Sequence, residues 1–160
     1  MEEKVLHNPK IEDLSEIKLV GFRVLCDSEQ YLNEIPKAAQ LLNERMNEIQ
    51  KVTNSSVQYG AFVVDNYSEA EDGYWICVQV NEYEDIPDDM VCLTIPPQRY
   101  AVGKHNGANY SIRDTYARLH AWIEKNGYER QLDKWHLERY HSWNNNDNLI
   151  IELLDTITES

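Results

Sequence analysis

The order of the predicted secondary structure repeats within the chain, and this repeat is the feature that most limits its possible folds. A strand, a helix and two further strands are predicted in each half. In the first half these elements are residues 17–26, 35–51, 57–64 and 74–80. In the second half they are residues 91–95 with 100–104, then 111–126, 135–142 and 149–154. Two copies of one module predict an α+β domain with pseudo-two-fold symmetry, an antiparallel sheet and two main helices.

The two helices are predicted from the spacing of their apolar residues. In the first helix these residues recur every three or four positions, at Ile35, Ala38, Ala39, Leu42, Met46 and Ile49. The second helix has an equivalent stripe at Ile112, Tyr116, Leu119 and Ile123. Gly127 follows the second stripe at a position where helices commonly end. Each helix is therefore expected to cover the sheet with one face.

These elements are distributed from residue 17 to residue 154 of the 160, a length that we interpret as a single domain. Residues 1–16 are expected to form a loosely held lead-in, about 17–82 the first half and about 90–156 the second half. The acidic stretch between the halves contains Pro87 and is predicted to be a linker. A ligand cleft is expected between the halves, because such junctions commonly bind small molecules.

Charge and cysteine content exclude several classes of protein. The chain has 28 acidic and 15 basic residues, a net charge of -13, and no basic patch for direct nucleic-acid binding. Cys26, Cys77 and Cys92 are widely spaced and odd in number, which argues against a disulfide framework or a structural zinc site. No secretory signal or membrane-spanning run is present. We expect a cytoplasmic protein without a metal, a cofactor or a membrane partner.

The segment 135–142 contains the residue most suggestive of function, Glu138. Aromatic residues and alternating polarity predict a strand here, so Glu138 shares its face with His136 and Tyr140, while Arg139 points away. A carboxylate among aromatic rings suits an organic cation, since each ring face attracts a cation by about 0.5–2 kcal/mol. The alternative is an ordinary solvated strand residue. His136 either influences the protonation of Glu138 or is a surface histidine.

Other aromatic residues are candidates for the walls of the same site. The chain has 10 tyrosines and four tryptophans, more than a core of this size needs. Tyr74 and Trp75 are adjacent on one strand and face opposite ways, so at most one of them lines the site. For every candidate the alternative is simple packing in the core. The candidates for ligand binding, besides Glu138, are Tyr59, Tyr74, Trp75, Tyr100, Trp122 and Tyr140.

Several short motifs, in their order and spacing, resemble a known family. They are Val20-Gly21, Tyr59-Gly60, Ile95-Pro96-x-x-x-Tyr100-Ala101 followed by His105-x-Gly107, Leu119-x-x-Trp122-Ile123 with Gly127 after it, and Glu138-x-Tyr140. Together they resemble the GyrI-like small-molecule-binding domain, also called the AraC-type effector-binding domain. The resemblance extends over about residues 17–156.

This resemblance implies the duplicated fold inferred above and a ligand pocket whose key acid is Glu138. Members bind drug-like organic molecules, often cationic and aromatic, and many are the sensor halves of multidrug-responsive transcription regulators. No helix-turn-helix segment is recognisable in this sequence. We therefore expect a stand-alone protein that binds hydrophobic or cationic small molecules, and any role in transcription would require a protein partner.

Two alternatives remain open within the same resemblance. Some members hydrolyse strained, cyclopropane-bearing alkylating compounds, and in such an enzyme Glu138 would be the catalytic residue, acting as general base on the attacking water. Other members inhibit DNA gyrase, for which an acidic surface could mimic DNA. The same carboxylate serves a binding protein and a hydrolase, so the residues alone do not separate these two.

Overall fold

The computed structural model describes residues 7–65, 68–142 and 149–159, which form nine strands and two α-helices. The helices are α1 (Tyr31–Glu44) and α2 (Ile112–Lys125). The strands are β1 (His7–Leu14), β2 (Ile17–Val24), β3 (Gln58–Val63), β4 (Tyr74–Val80), β5 (Val91–Ile95), β6 (Gln98–Gly107), β7 (Tyr128–Arg130), β8 (Trp135–Ser142) and β9 (Leu149–Glu159).

Eight strands form one antiparallel sheet in the order β1-β6-β9-β8-β3-β4-β2-β5, and β7 pairs with the end of β9. From the middle of this sheet outward, β3, β4 and β2 lie on one side and β8, β9 and β6 on the other. Each set contains the strand before its helix and two of the strands after it, and in the second half β7 lies outside the set. The predicted α+β fold is therefore confirmed, with a pseudo-two-fold axis between β3 and β8.

The two halves exchange their outermost strands. β1 pairs with β6, although only Ser15 and Glu16 separate β1 from β2. In the same way β5 pairs with β2, although only Pro96 and Pro97 separate β5 from β6. Because a two-residue connection spans only about 10 Å, the two ends of the sheet must approach each other. The sheet is consequently strongly curved.

Residues 7–14, which we expected to belong to a loosely held lead-in, are therefore a paired strand. Besides the strand pairing with β6, two ion pairs hold this segment. Asp13 accepts a hydrogen bond of 2.8 Å from Arg99, and Glu12 accepts one of 2.8 Å from Arg139. The rest of the expected lead-in, residues 1–6, lies outside the described residues.

The two faces of the sheet carry separate cores. On one face α1 packs against β2 and β4, and α2 packs against β6 and β7. The core under the helices includes Leu42, Ile76, Leu119, Leu153 and Ile123. The sheet curves around the other core, which includes Ile17, Ile95, Tyr100, Leu137 and Leu154.

The helix boundaries differ from expectation only for α1. This helix begins four residues earlier than predicted and ends seven residues earlier, at Glu44. Met46–Glu48 forms a separate 3-10 turn, and Lys51 has a φ of 62°, which is incompatible with a continuing α-helix. α2 agrees with the prediction to within one residue at each end. Gly127 has the left-handed φ of 80° that ends a helix.

Candidate ligand-binding site

A cavity of about 400 Å³ opens on the helix-bearing face of the sheet, between the two halves. The N-terminal part of α1 forms one wall, the start of α2 forms another, and β3, β4 and β8 contribute the floor. Exposed Asp72 and Arg113 also line this space. The aromatic and acidic lining residues that matter most for its chemistry are Tyr31, Phe62, Tyr74, Glu138 and Tyr140.

Glu138 lies in the floor of the cavity and is only 5% exposed. Three phenol hydroxyls donate hydrogen bonds to its carboxylate. Oε1 accepts from Tyr74 and, over 3.2 Å, from Tyr140, while Oε2 accepts from Tyr116 on α2. The hydroxyl oxygens of Tyr74 and Tyr140 are also 2.8 Å apart, so the single proton of Tyr140 is shared between Glu138 and Tyr74. Side chains from β4, β8 and α2, and so from both halves of the chain, thus converge on one carboxylate.

The electrostatic state of this cluster follows from its burial. Burial raises the pKa of Glu138, although the hydrogen bonds from Tyr116, Tyr74 and Tyr140 act in the opposite direction. Burial and the negative charge of Glu138 raise the pKa of each of the three tyrosines. The phenols therefore remain protonated donors, and a bound cation would stabilise the ionised form of Glu138.

A second buried carboxylate, Asp155 on β9, lies on the same face of the sheet behind Glu138. Its Oδ1 is 3.1 Å from His136 Nδ1, and its Oδ2 is 2.9 Å from His120 Nε2 and 3.2 Å from Arg130 Nε. Burial opposes ionisation of Asp155, but His120, His136 and the charge of Arg130 outweigh it and lower the pKa of this carboxyl. Asp155 is thus already neutralised by protein side chains, whereas Glu138 is not.

His136 is fully buried, so the interpretation as a surface histidine is wrong. Its Nε2 lies 2.9 Å from the carbonyl oxygen of Gln131, and its Nδ1 faces Asp155. Both ring nitrogens thus lie within hydrogen-bonding distance of oxygen atoms. The ring also stacks on Phe62, with centroids 5.8 Å apart. His136 therefore supports the floor of the cavity from behind.

The structure separates the sequence-predicted site residues into two groups. It brings Tyr74 and Tyr140 together with Glu138 at the cavity. It places Tyr59, Trp75 and Tyr100 in the core on the opposite face of the sheet, where they do not line this cavity. Trp122 packs beside the core under α2 and is also outside the lining. We leave these four aromatic residues out of the proposed site.

Two important residues were not among the predicted site residues. The sequence places Tyr116 only in the apolar stripe of α2, whereas in the structure its hydroxyl reaches Glu138. Phe62 stacks on Tyr74 with ring centroids 6.0 Å apart and lines the cavity. A tyrosine within an otherwise aliphatic helical stripe was the available signal, because a buried hydroxyl needs a polar partner.

Among the described residues, no group of three or more His, Cys, Asp and Glu side chains is arranged to hold a metal ion. In the same part of the chain, no helix is long and apolar enough to cross a membrane. At its floor the cavity offers a ligand a buried carboxylate, phenol hydroxyls and aromatic rings, and the exposed Asp72 and Arg113 add one charged group of each sign to the lining.

Solved structures share this fold. The C-terminal domain of EcmrR has a TM-score of 0.68 and 20% identity, with 96% of this chain and 98% of that domain covered. SAV2435, solved bound to tetraphenylphosphonium, has a TM-score of 0.68 and 16% identity, with 94% of each chain covered. A hydrolase from Listeria innocua has a TM-score of 0.55 and 14% identity, with 97% and 94% covered.

The chain spans 58% of the EcmrR chain in the structure of the EcmrR–DNA complex. A comparison with curated protein sequences finds no significant match. A family model described as Cass2, integron-associated effector binding protein, matches residues 10–154. This match, together with the shared fold, confirms the resemblance to GyrI-like effector-binding domains. The chain therefore belongs to the Cass2 family of integron-associated effector-binding proteins.

Proposed function

We propose that this protein binds hydrophobic organic cations, aromatic ones above all, in the cavity between its two halves, with Glu138 as the counter-ion. The observation that carries the proposal is a buried carboxylate whose hydrogen-bond partners, within the described part of the chain, are hydroxyl groups and not cationic side chains. Asp155 provides the contrast, because histidine and arginine side chains surround it.

The energetics of such a site favour a lipophilic cation. Glu138 has lost most of its contact with water, so its charge is unfavourable until an opposite charge approaches. The rings of Phe62 and Tyr31 supply apolar area, worth about 25 cal/mol per Å² buried. A cation whose charge is shielded by aromatic groups loses little hydration free energy on entering the cavity. It gains both the attraction to the Glu138 carboxylate and the burial of apolar area. The binding of tetraphenylphosphonium by SAV2435 supports this ligand class.

The test is calorimetric titration with tetraphenylphosphonium, and with triphenylphosphine oxide as a neutral ligand of similar shape. We expect the cation to bind wild-type protein and the Glu138→Gln variant to bind it at least about tenfold more weakly, which corresponds to about 1.4 kcal/mol. Binding of the neutral compound should change little. Glu124→Gln, an exposed substitution on α2, is the matched control and should bind like wild type.

Equal affinity of wild type and Glu138→Gln for the cation, with both proteins folded, would refute the counter-ion role. Binding of the neutral compound as tightly as the cation would show that the cavity selects shape and not charge. Failure of wild type to bind any of a panel of aromatic cations would reject the proposed function as a whole.

A second candidate function is hydrolysis of cyclopropane-bearing alkylating compounds. The observation that favours it is the burial of Glu138, which raises the pKa of this carboxyl and makes it a stronger general base, with phenol hydroxyls beside it to orient a substrate. The fold similarity to a hydrolase from Listeria innocua is compatible with it. Incubation with such a compound, followed by mass spectrometry, should yield a water adduct with wild type and not with Glu138→Gln. The absence of adduct at saturating enzyme would reject this candidate.

A further inference from the structure

Gly60 occupies the position in the sheet over which Tyr74 reaches Glu138. The strand β3 lies between β4 and β8, and Gly60 is paired with Ile76 on one side and with Glu138 on the other. Tyr74 belongs to β4, two strands away from β8, which is about 9–10 Å. Its side chain therefore has to pass over β3 to donate its hydrogen bond to Glu138.

The missing side chain of Gly60 is what leaves room for this passage. A Cβ at this position would lie 2.8 Å from Cε1 of Tyr74, and it would overlap Cζ and the hydroxyl oxygen even more strongly. Real Cβ atoms do not come this close to other heavy atoms. Any residue larger than glycine would consequently displace the Tyr74 ring from its present position.

The surroundings of Tyr74 determine where a displaced ring would go. One side of the ring stacks on Phe62, and the residue belongs to the packed core under the helices. The empty space next to Tyr74 is the cavity, which it lines together with Glu138 and Tyr140. A side chain at position 60 would thus push the ring into the cavity and carry its hydroxyl away from Glu138.

We propose that Gly60 determines the ligand specificity of the cavity, because it lets Tyr74 lie flat on the sheet, where its ring forms a low floor and its hydroxyl holds the Glu138 carboxylate. This inference rests on the proposed function, since it concerns the same cavity. Gly60 would then decide whether the cavity accepts bulky cations or only small ones, although it has no side chain to contact the ligand.

The experiment compares the single variants Gly60→Ala and Tyr74→Phe with wild type. It also compares the double variant Gly60→Ala/Tyr74→Ala with the single variant Tyr74→Ala. Two probes of different size are titrated, tetraphenylphosphonium and phenyltrimethylammonium. In parallel, the titration of the Glu138 carboxyl is followed by carbon-13 NMR in ligand-free protein. The NMR measurement needs no ligand, so it tests the role of Gly60 even if neither probe binds. A failure of the inference about Gly60 can therefore be distinguished from a failure of the proposed function.

We expect Gly60→Ala to weaken binding of tetraphenylphosphonium about tenfold more than that of phenyltrimethylammonium. In ligand-free protein, Gly60→Ala and Tyr74→Phe should each move the titration of the Glu138 carboxyl to higher pH. Both substitutions remove one hydroxyl donor from the carboxylate. Tyr74→Phe keeps the ring in place and should leave the ratio of the two affinities close to that of wild type. In the Tyr74→Ala background, Gly60→Ala should change neither measurement further.

An unchanged Glu138 titration and an unchanged ratio of affinities in Gly60→Ala would overturn the proposal. If Gly60→Ala alone does not fold, the double variant decides, because removal of the Tyr74 ring removes the clash. Recovery of folding in the double variant supports the proposal. Failure of the double variant to fold, when Tyr74→Ala folds, would show that Gly60 is required for a reason unrelated to Tyr74.

Discussion

Glu138 should destabilise the ligand-free protein at neutral pH, and its replacement by glutamine should reveal this. The carboxyl is 5% exposed, and its pKa is raised because burial disfavours the charged form. In the unfolded chain the same carboxyl titrates near its ordinary pKa of 4.5. Folding therefore holds a proton on Glu138 over a range of pH in which the unfolded chain has already released it.

The sign of the effect follows from proton linkage. Between pH 4.5 and the higher pKa of the folded protein, the folded state binds more protons than the unfolded state. The free energy of unfolding contributed by this group consequently falls as the pH rises, by at most about 1.4 kcal/mol per pH unit. Glutamine does not titrate. Its single amide oxygen still accepts a hydrogen bond from the phenols, and its NH2 group donates to a phenol oxygen on the other side, a change that does not depend on pH. The stability of Glu138→Gln relative to wild type should therefore increase above pH 4.5 and level off above the folded pKa.

Urea denaturation of both proteins at a series of pH values between 4 and 8 measures this difference directly. The exposed substitution Glu124→Gln serves as the control and should follow wild type at every pH. Shifts at carboxyl groups that do not interact with Glu138 cancel in the comparison. A difference that is independent of pH, or one that favours wild type increasingly as the pH rises, would refute the assignment of Glu138 as a carboxyl with a raised pKa.

Two further predictions concern the packing around the site. Asp155→Asn removes the buried negative charge that faces Arg130, so urea denaturation should show that the free energy of unfolding falls by about 3–5 kcal/mol, and a fall of less than about 1 kcal/mol would contradict the buried ion pair. Leu119 is fully buried under α2, so Leu119→Ala should lower the free energy of unfolding by about 2–5 kcal/mol in the same assay. Leu41 on α1 is 42% exposed, and Leu41→Ala should lower it far less. Similar losses for the two variants would contradict the packing of α2.

The alternation along β8 was correctly predicted because it is a local property of an extended chain. It places Glu138 and Tyr140 on one face and Arg139 on the other, as the structure shows. Which face of the sheet bears the helices is not a local property. Tyr59 is a predicted site residue because it is aromatic and lies on the matching strand of the first half, and Tyr100 is a weaker candidate. The sheet directs both toward the opposite core.

Contacts between distant segments account for what the sequence did not predict. The helical stripe indicated that Tyr116 is buried, but the reach of its hydroxyl to Glu138 depends on the distance between α2 and β8. The segment 7–14 contains Pro9 and several polar residues, which do not predict a strand. It is extended because β6, far along the chain, offers it a free edge.

The exchange of β1 and β5 means that neither half of the chain is an independent folding unit. A cut in the connection between β4 and β5 would leave each fragment carrying a strand whose hydrogen-bonding partner belongs to the other fragment. The two fragments would have to reassemble to satisfy these backbone groups. The two exchanged strands therefore fix the spacing of α1 and α2 across the cavity, and these helices cannot move far apart unless β1 or β5 first leaves the sheet.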